Sequence, residues 1–132
     1  IIFFFNTHFD NTGEKARHES AVLMVEKIKE IAGDNAVVFM TGDLNTTSED
    51  KDLKPLATYL KESGKTVKKA DKTPSFNDFG RNRAGLQMID HIFYRNAEAR
   101  SFNVVDEPKF GVKYISDHYP VISGFVIELP KN

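Results

Sequence analysis

Four short stretches of this chain place carboxylate, imidazole and amide groups at the ends of apolar runs. They are Asn6-Thr7-His8-Phe9-Asp10, Thr41-Gly42-Asp43-Leu44-Asn45, Ile89-Asp90-His91 and Ser116-Asp117-His118. The carboxylates of Asp10, Asp43, Asp90 and Asp117, with the amide oxygen of Asn45, amount to a hard oxygen-donor set. Such a set suits Mg²⁺, with Mn²⁺ as an alternative. With no Cys in the chain and no HExxH helix, a zinc centre is disfavoured. Histidines beside such a metal, His8 and His118, serve either as general base or as donors to a phosphate oxygen. A carboxylate next to a histidine holds its tautomer and raises its basicity. Together these groups point to metal-assisted attack of water on a phosphate ester. Arg81 and Arg83 sit on a loop leading to Asp90, where they are placed to grip a substrate phosphate.

Strands and helices must bring these ends together. Ile1-Ile2-Phe3-Phe4-Phe5 reads as a strand buried on both faces. Thr12 is expected to cap a helix from about Glu14, with Ala21, Met24, Val25, Ile28 and Ile31 on its inner face and Gly33 as its stop. Ala36 to Met40 is a second buried strand. A second helix is expected from about Leu53 to Ser63, with Pro55 in its first turn, Leu53, Leu56, Ala57 and Leu60 inward, and Gly64 ending it. Leu86 to Tyr94 alternates as a strand, which puts Asp90 and His91 on opposite faces. Ser101 to Val105 and Val121 to Ile127 complete the elements. The order strand, helix, strand, helix, strands implies an α/β fold, and open α/β sheets place chemistry at strand ends. His91 then reads as structural, and His18 as a helix-surface residue. Lys65, Lys68, Lys69 and Lys72 read as a solvated face. Phe76 and Phe79 are loop anchors or base-stacking platforms.

The chain has 132 residues, no Cys, a formal net charge of −1 and a pI near 6.5. That is the size of one domain, with no global basic field to advertise nucleic acid. Lack of Cys fits a reducing compartment and equally an exported bacterial protein. No apolar run approaches the roughly 20 residues of a membrane helix. The chain opens inside an apolar run with no Met and no polar lead-in, so we expect residues 1–132 to be one piece of a longer protein.

The four segments, in this order, resemble the endonuclease/exonuclease/phosphatase superfamily, the DNase I-like metal-dependent phosphohydrolases. The resemblance rests on Asn6-Thr7-His8-Phe9-Asp10, Thr41-Gly42-Asp43-Leu44-Asn45, Met88-Ile89-Asp90-His91-Ile92-Phe93 and Ser116-Asp117-His118-Tyr119-Pro120-Val121, which span nearly the whole chain. It implies that His118 is the principal catalytic histidine, oriented by Asp90, and that His8 is the second, contacting phosphate. It implies that Asp43 and Asn45 orient the attacking water or contact phosphate and metal, and that Asp117 lies at the metal. Arg17, in Ala16-Arg17-His18-Glu19-Ser20-Ala21, is expected to tie the first loop to the site.

The resemblance covers only the C-terminal half of such a domain. It implies half of a four-layer α/β sandwich: one mixed sheet with helices on one face. The early Asn and the metal-binding Glu of the N-terminal half have no counterpart in residues 1–132. An apolar sheet face should therefore be exposed and covered by that half or by a second copy. Substrate class is less marked. Gly85-Leu86-Gln87-Met88-Ile89-Asp90, with no Trp or Cys, argues against the inositol-polyphosphate phosphatases. Ser75-Phe76-Asn77 stands where small bacterial relatives often carry a Thr-Phe-His-type segment. The reading is a divalent-metal-dependent phosphoesterase acting on diesters or monoesters. The alternative is a non-catalytic or incomplete member acting as a binding or interaction domain.

Overall fold

A computed structural model of the chain describes residues 1–107 and 111–129. Strands β1 (Ile2–His8) and β2 (Val37–Asp43) run parallel, joined by helix α1 (Glu14–Ala32). Short helix α2 (Lys54–Tyr59), strand β3 (Lys61–Glu62) and one-turn helix α3 (Ser63–Thr66) lead towards β4 (Asp90–Arg95). The first sheet has the order β1-β2-β4-β3, with β4 antiparallel to both its neighbours. Strands β5 (Glu98–Val104) and β6 (Val121–Val126) pair antiparallel as a second, separate sheet. The expected mixed sheet with helices on one face is present, and this two-stranded sheet adds a layer on its other face.

Each face has its own core. Ala21 and Ile28 of α1, fully buried, pack with Val38, Met40 and Phe93, and Phe3 and Phe5 join them. Each large apolar side chain buried in this way stabilises the fold by roughly 1.5–3 kcal/mol. On the other face, Phe125 of β6 lies 4.6 Å from the Phe39 ring and 5.0 Å from Tyr94. Ile92, Phe102 and Val104 form a smaller cluster there, with Val121 and Tyr119 against it.

Several expectations change. The first strand is not buried on both faces: Ile2 and Phe4 are 47% and 74% exposed, whereas Phe3 and Phe5 face α1. The reason is that β1 is an edge strand and β5–β6 reaches only the β2–β4 part of the second face. Ile31, in the last turn of α1, is also exposed, and Gly33 ends the helix with φ 68°. Thr12 does not cap α1; the Asp10 carboxylate accepts from the Thr12 and Gly13 amides instead. The helix expected over Leu53–Ser63 breaks at Leu60, whose backbone turns extended so that Lys61 and Glu62 can pair with Tyr94 and Phe93 of β4. Ala57 is consequently exposed. Gly64 lies inside α3 rather than ending a helix, with its Cα hydrogens towards the Phe102 ring. Strand β4 begins at Asp90, not Leu86, because Phe76 N–H takes the Gln87 carbonyl and the Ser75 hydroxyl takes the Ile89 amide.

Candidate active site

Register builds the site. His8 is the Cα partner of Asp43, and Asp43 that of Asp90. Residues directly opposite one another share a face, so one row across three strands carries an imidazole and two carboxylates. This face lies opposite α1. The close approach of β1 and β2 at this end requires Gly42, whose added Cβ would stand 2.1 Å from the Thr7 carbonyl oxygen.

His118 enters from the loop before β6. Its Nδ1 lies 2.7 Å from Asp90 Oδ2, and its Nε2 lies 3.6 Å from Asp43 Oδ2. His8 Nε2 approaches the same Asp43 oxygen at 3.3 Å. One carboxylate oxygen thus faces two imidazoles. His8 is largely exposed, whereas Asp43, Asp90 and His118 are about three-quarters or more buried. Burial alone would lower the His118 pKa. The Asp90 hydrogen bond and the charges of Asp90, Asp43 and Asp117 outweigh it, so the pKa is raised above the ordinary imidazole value.

The turn after β2 completes the front of the site. Asn45 adopts φ 53°, a left-handed conformation that Asn tolerates better than most residues. Its amide donates to Asp43 Oδ1 at 2.9 Å, and its Nδ2 donates to the Phe9 carbonyl at 2.7 Å. The side-chain Oδ1 is then the atom it can offer to a ligand. An open cleft of about 500 Å³ lies over this end, lined by His8, Phe9, Asp10, Asn11 and Asn45.

The donor set fits a hard divalent cation. Ligand atoms of Asp43, Asp90 and His118 all lie within 4.8 Å of one another. Two carboxylates and a nearby amide oxygen fall short of six ligands, and Mg²⁺ characteristically fills such gaps with water. Asp117 stands outside this tight group. Its carbonyl accepts from the Asn77 and Asp78 amides, and its side chain is only partly buried beside His118.

Arg17 is buried, paired with Asp52 at 3.1 Å, and donates to the Asp10 carbonyl at 3.3 Å. It ties the first loop to the segment before α2, and its guanidinium is turned away from solvent. Arg81 pairs with Asp78 of its own loop at 3.0 Å, and Arg83 is exposed. No contact among the described residues joins either to the cluster.

Behind the His118–Asp90 pair lies Ser75-Phe76-Asn77, the segment that departs from the Thr-Phe-His type; its strapping role is one that no spacing announces. Ser75 is fully buried, and its hydroxyl accepts from the Ile89 and Asp90 amides at 3.0 and 3.1 Å. Phe76 forms an isolated antiparallel bridge with His118, with ring centroids 5.3 Å apart. Asn77, buried, donates to the Ser116 carbonyl at 3.1 Å. Ser75-Phe76-Asn77 therefore straps the start of β4 to the His118 loop. No periodicity marks such a strap; the Gly- and Asn-rich stretch after it reads only as loop.

A mixed sheet with α1 on one face, a second sheet on the other and an acid–imidazole row at the strand ends define half of a DNase I-like α/β sandwich. The Endonuclease/Exonuclease/phosphatase family model matches residues 3–118, and the chain belongs to that family. Solved structures agree. An endonuclease/exonuclease/phosphatase protein of Bacteroides vulgatus is 31% identical with TM-score 0.81, covering 95% of this chain and 50% of its own. A mannosyl-6-phosphatase of Bacteroides thetaiotaomicron is 30% identical with TM-score 0.78, covering 94% of this chain and 51% of its own. Truncated TDP2 of Caenorhabditis elegans, 20% identical with TM-score 0.72, covers 95% of this chain and 54% of its own and shares the fold. The chain thus spans about half the length of the solved relatives. No curated protein sequence matches it.

Proposed function

We propose that residues 1–132 form the C-terminal portion of a divalent-metal-dependent phosphoesterase that hydrolyses phosphodiester or phosphomonoester bonds with activated water. The observation that carries this reading is the His118–Asp90 pair: Nδ1 lies 2.7 Å from Asp90 Oδ2, while Nε2 looks into the row, 3.6 Å from Asp43 Oδ2. In this reading Asp90 holds the His118 tautomer, and Nε2 takes a proton from water. The water oxygen then bonds to phosphorus while the ester oxygen departs with its bonding electrons. His8 donates to a phosphate oxygen. Asp43 and Asn45 orient the water. Asp43 and Asn45 would hold Mg²⁺ or Mn²⁺, with Asp117, outside the tight group, as the more remote ligand candidate; a bound cation would supply charge neutralisation at phosphate and a more acidic water. Arg81 and Arg83, exposed on their loop, are the weaker candidates for phosphate contact.

The N-terminal half of the longer protein is the proposed cover for Ile2 and Phe4, and the proposed source of the remaining metal ligand. A second copy is the competing cover. No described helix is long and apolar enough to cross a membrane. The relative described as a mannosyl-6-phosphatase supports including sugar phosphates among the substrates tried. A binding domain without catalysis is the competing function.

The test is hydrolysis by the full-length protein with Mg²⁺, against a panel of phosphodiesters, nucleotides and sugar phosphates. EDTA is expected to abolish turnover. His118→Ala is expected to lower kcat about 10²- to 10⁴-fold, the range of a general base. Turnover unchanged in both His118→Ala and Asp43→Ala would reject the site assignment.

A further inference from the structure

The face of the sheet behind the catalytic row carries a polar cluster that the proposed chemistry leaves unused. His91 follows Asp90 in β4, so it points to the opposite face, where it is 1% exposed. Its Nδ1 lies 2.6 Å from Glu62 Oε1 and its Nε2 2.8 Å from the Thr46 carbonyl oxygen. Glu62 reaches this point because β3 pairs it with Phe93. Ser48 Oγ donates to the same Glu62 oxygen at 2.7 Å and stands 3.4 Å from His91 Nδ1. The trio is not a second nucleophilic site. Both ring nitrogens are already engaged, Nδ1 by the Glu62 carboxylate and Nε2 by the Thr46 carbonyl, and the Ser48 hydroxyl is itself bonded to Glu62, so the ring is not placed to serve Ser48 as a base.

What the ring holds is the turn that carries Asn45. A non-glycine residue with φ 53° persists where its surroundings over-determine it. The Leu44 amide donates to the Ile89 carbonyl at 2.9 Å, and Asn45 Nδ2 donates to the Phe9 carbonyl. His91 adds the bond at the far end of the turn, one residue past Asn45. Strand β4 thereby presents Asp90 to the front of the sheet and clamps the Asp43–Thr46 turn from the back.

We propose that His91, held by Glu62, is a positioning residue that fixes the Asp43-Leu44-Asn45 turn against β4, so that the Asp43 carboxylate and Asn45 amide keep their places relative to Asp90 and His118. The kinetic part of this proposal rests on the hydrolase reading above; the structural part does not.

Hydrogen exchange read by mass spectrometry on the full-length protein tests the structural part. In His91→Gln, and in the volume-conserving Glu62→Gln should the first not fold, exchange over residues 43–47 is expected to rise about tenfold or more. Exchange in α1 should stay within about twofold. Unchanged exchange over 43–47, or an equal rise in α1, would overturn the proposal. In the kinetic arm the same variants are expected to lower kcat by about ten- to a hundredfold, as small misplacements do, with KM little changed. In an Asn45→Ala background that loss should shrink to about twofold, because coupled residues are non-additive. A full loss retained in that background would also overturn it. Wild type that hydrolyses nothing would defeat the hydrolase reading, while the exchange result would still decide the clamp.

Discussion

His118 is the residue on which the proposed chemistry turns, and its environment makes a pH prediction. Burial opposes its charge, but Asp90, Asp43 and Asp117 outweigh burial and raise its pKa. A general base works when neutral. The acid limb of kcat/KM is therefore expected above the ordinary imidazole range. Asp90→Asn removes the largest raising interaction, so the limb should move to lower pH while the plateau rate falls. A pH–rate profile that keeps its limb in Asp90→Asn would assign the ionisation to another group. The same shift has a sign for stability. A group whose pKa is raised on folding binds its proton more tightly in the native state. His118 therefore stabilises the fold fully below the unfolded value, and that contribution is lost as pH rises through the folded value. Thermal melts of wild type and His118→Gln should diverge towards acid pH and converge towards alkaline pH.

At the scale of elements, two side chains hold the loops that present these groups. The Ser75 hydroxyl accepts two buried amides at the start of β4. Ser75→Ala leaves both without that acceptor, and an unsatisfied buried donor costs about 1–3 kcal/mol. We expect Ser75→Ala to lower stability by about 2 kcal/mol in chemical denaturation and to lower kcat through Asp90. Arg17 and Asp52 form a buried pair, with side chains 8% and 4% exposed. Arg17→Ala strands a buried carboxylate, and breaking such a pair costs about 3–5 kcal/mol. Arg17→Ala combined with Asp52→Leu should recover much of that loss. Recovery would mark Arg17 as a fastener of the first loop; loss of substrate affinity without loss of stability would mark it as a phosphate contact.

For the whole molecule the deciding feature is the face of β1 that nothing described covers. Ile2 and Phe4 are exposed together on an edge strand, with Ile122 and Val126 exposed on β6. Exposed apolar edges of this kind pair or aggregate. Residues 1–132 alone are expected to self-associate in light scattering, and Phe4→Lys to shift them towards monomer. Supplying the N-terminal half in trans should do the same and restore hydrolysis. A monodisperse monomer of residues 1–132 would count against an interface on this face.

Which residues form the acid–imidazole cluster was legible in the chain itself, because titratable groups beside apolar runs break a pattern that burial otherwise enforces. Asp43, Asp90 and His118 stood out as ends of strands, and the alternation over Asp90-His91-Ile92-Phe93 already put Asp90 and His91 on opposite faces. The alternation does not say which strands are neighbours or in what register. Only pairing placed His8, Asp43 and Asp90 in one row. The helix break at Leu60 was hidden for the same reason: Lys61 and Glu62 gain partners on β4, a contact remote in sequence that overrides helical spacing. The Ser75–Asn77 strap and the His91–Glu62 clamp are side-chain bonds across 14 to 39 residues. Local composition carries no trace of them. Tertiary structure alone decided them, because a buried polar group must find its partner wherever the packed chain brings one.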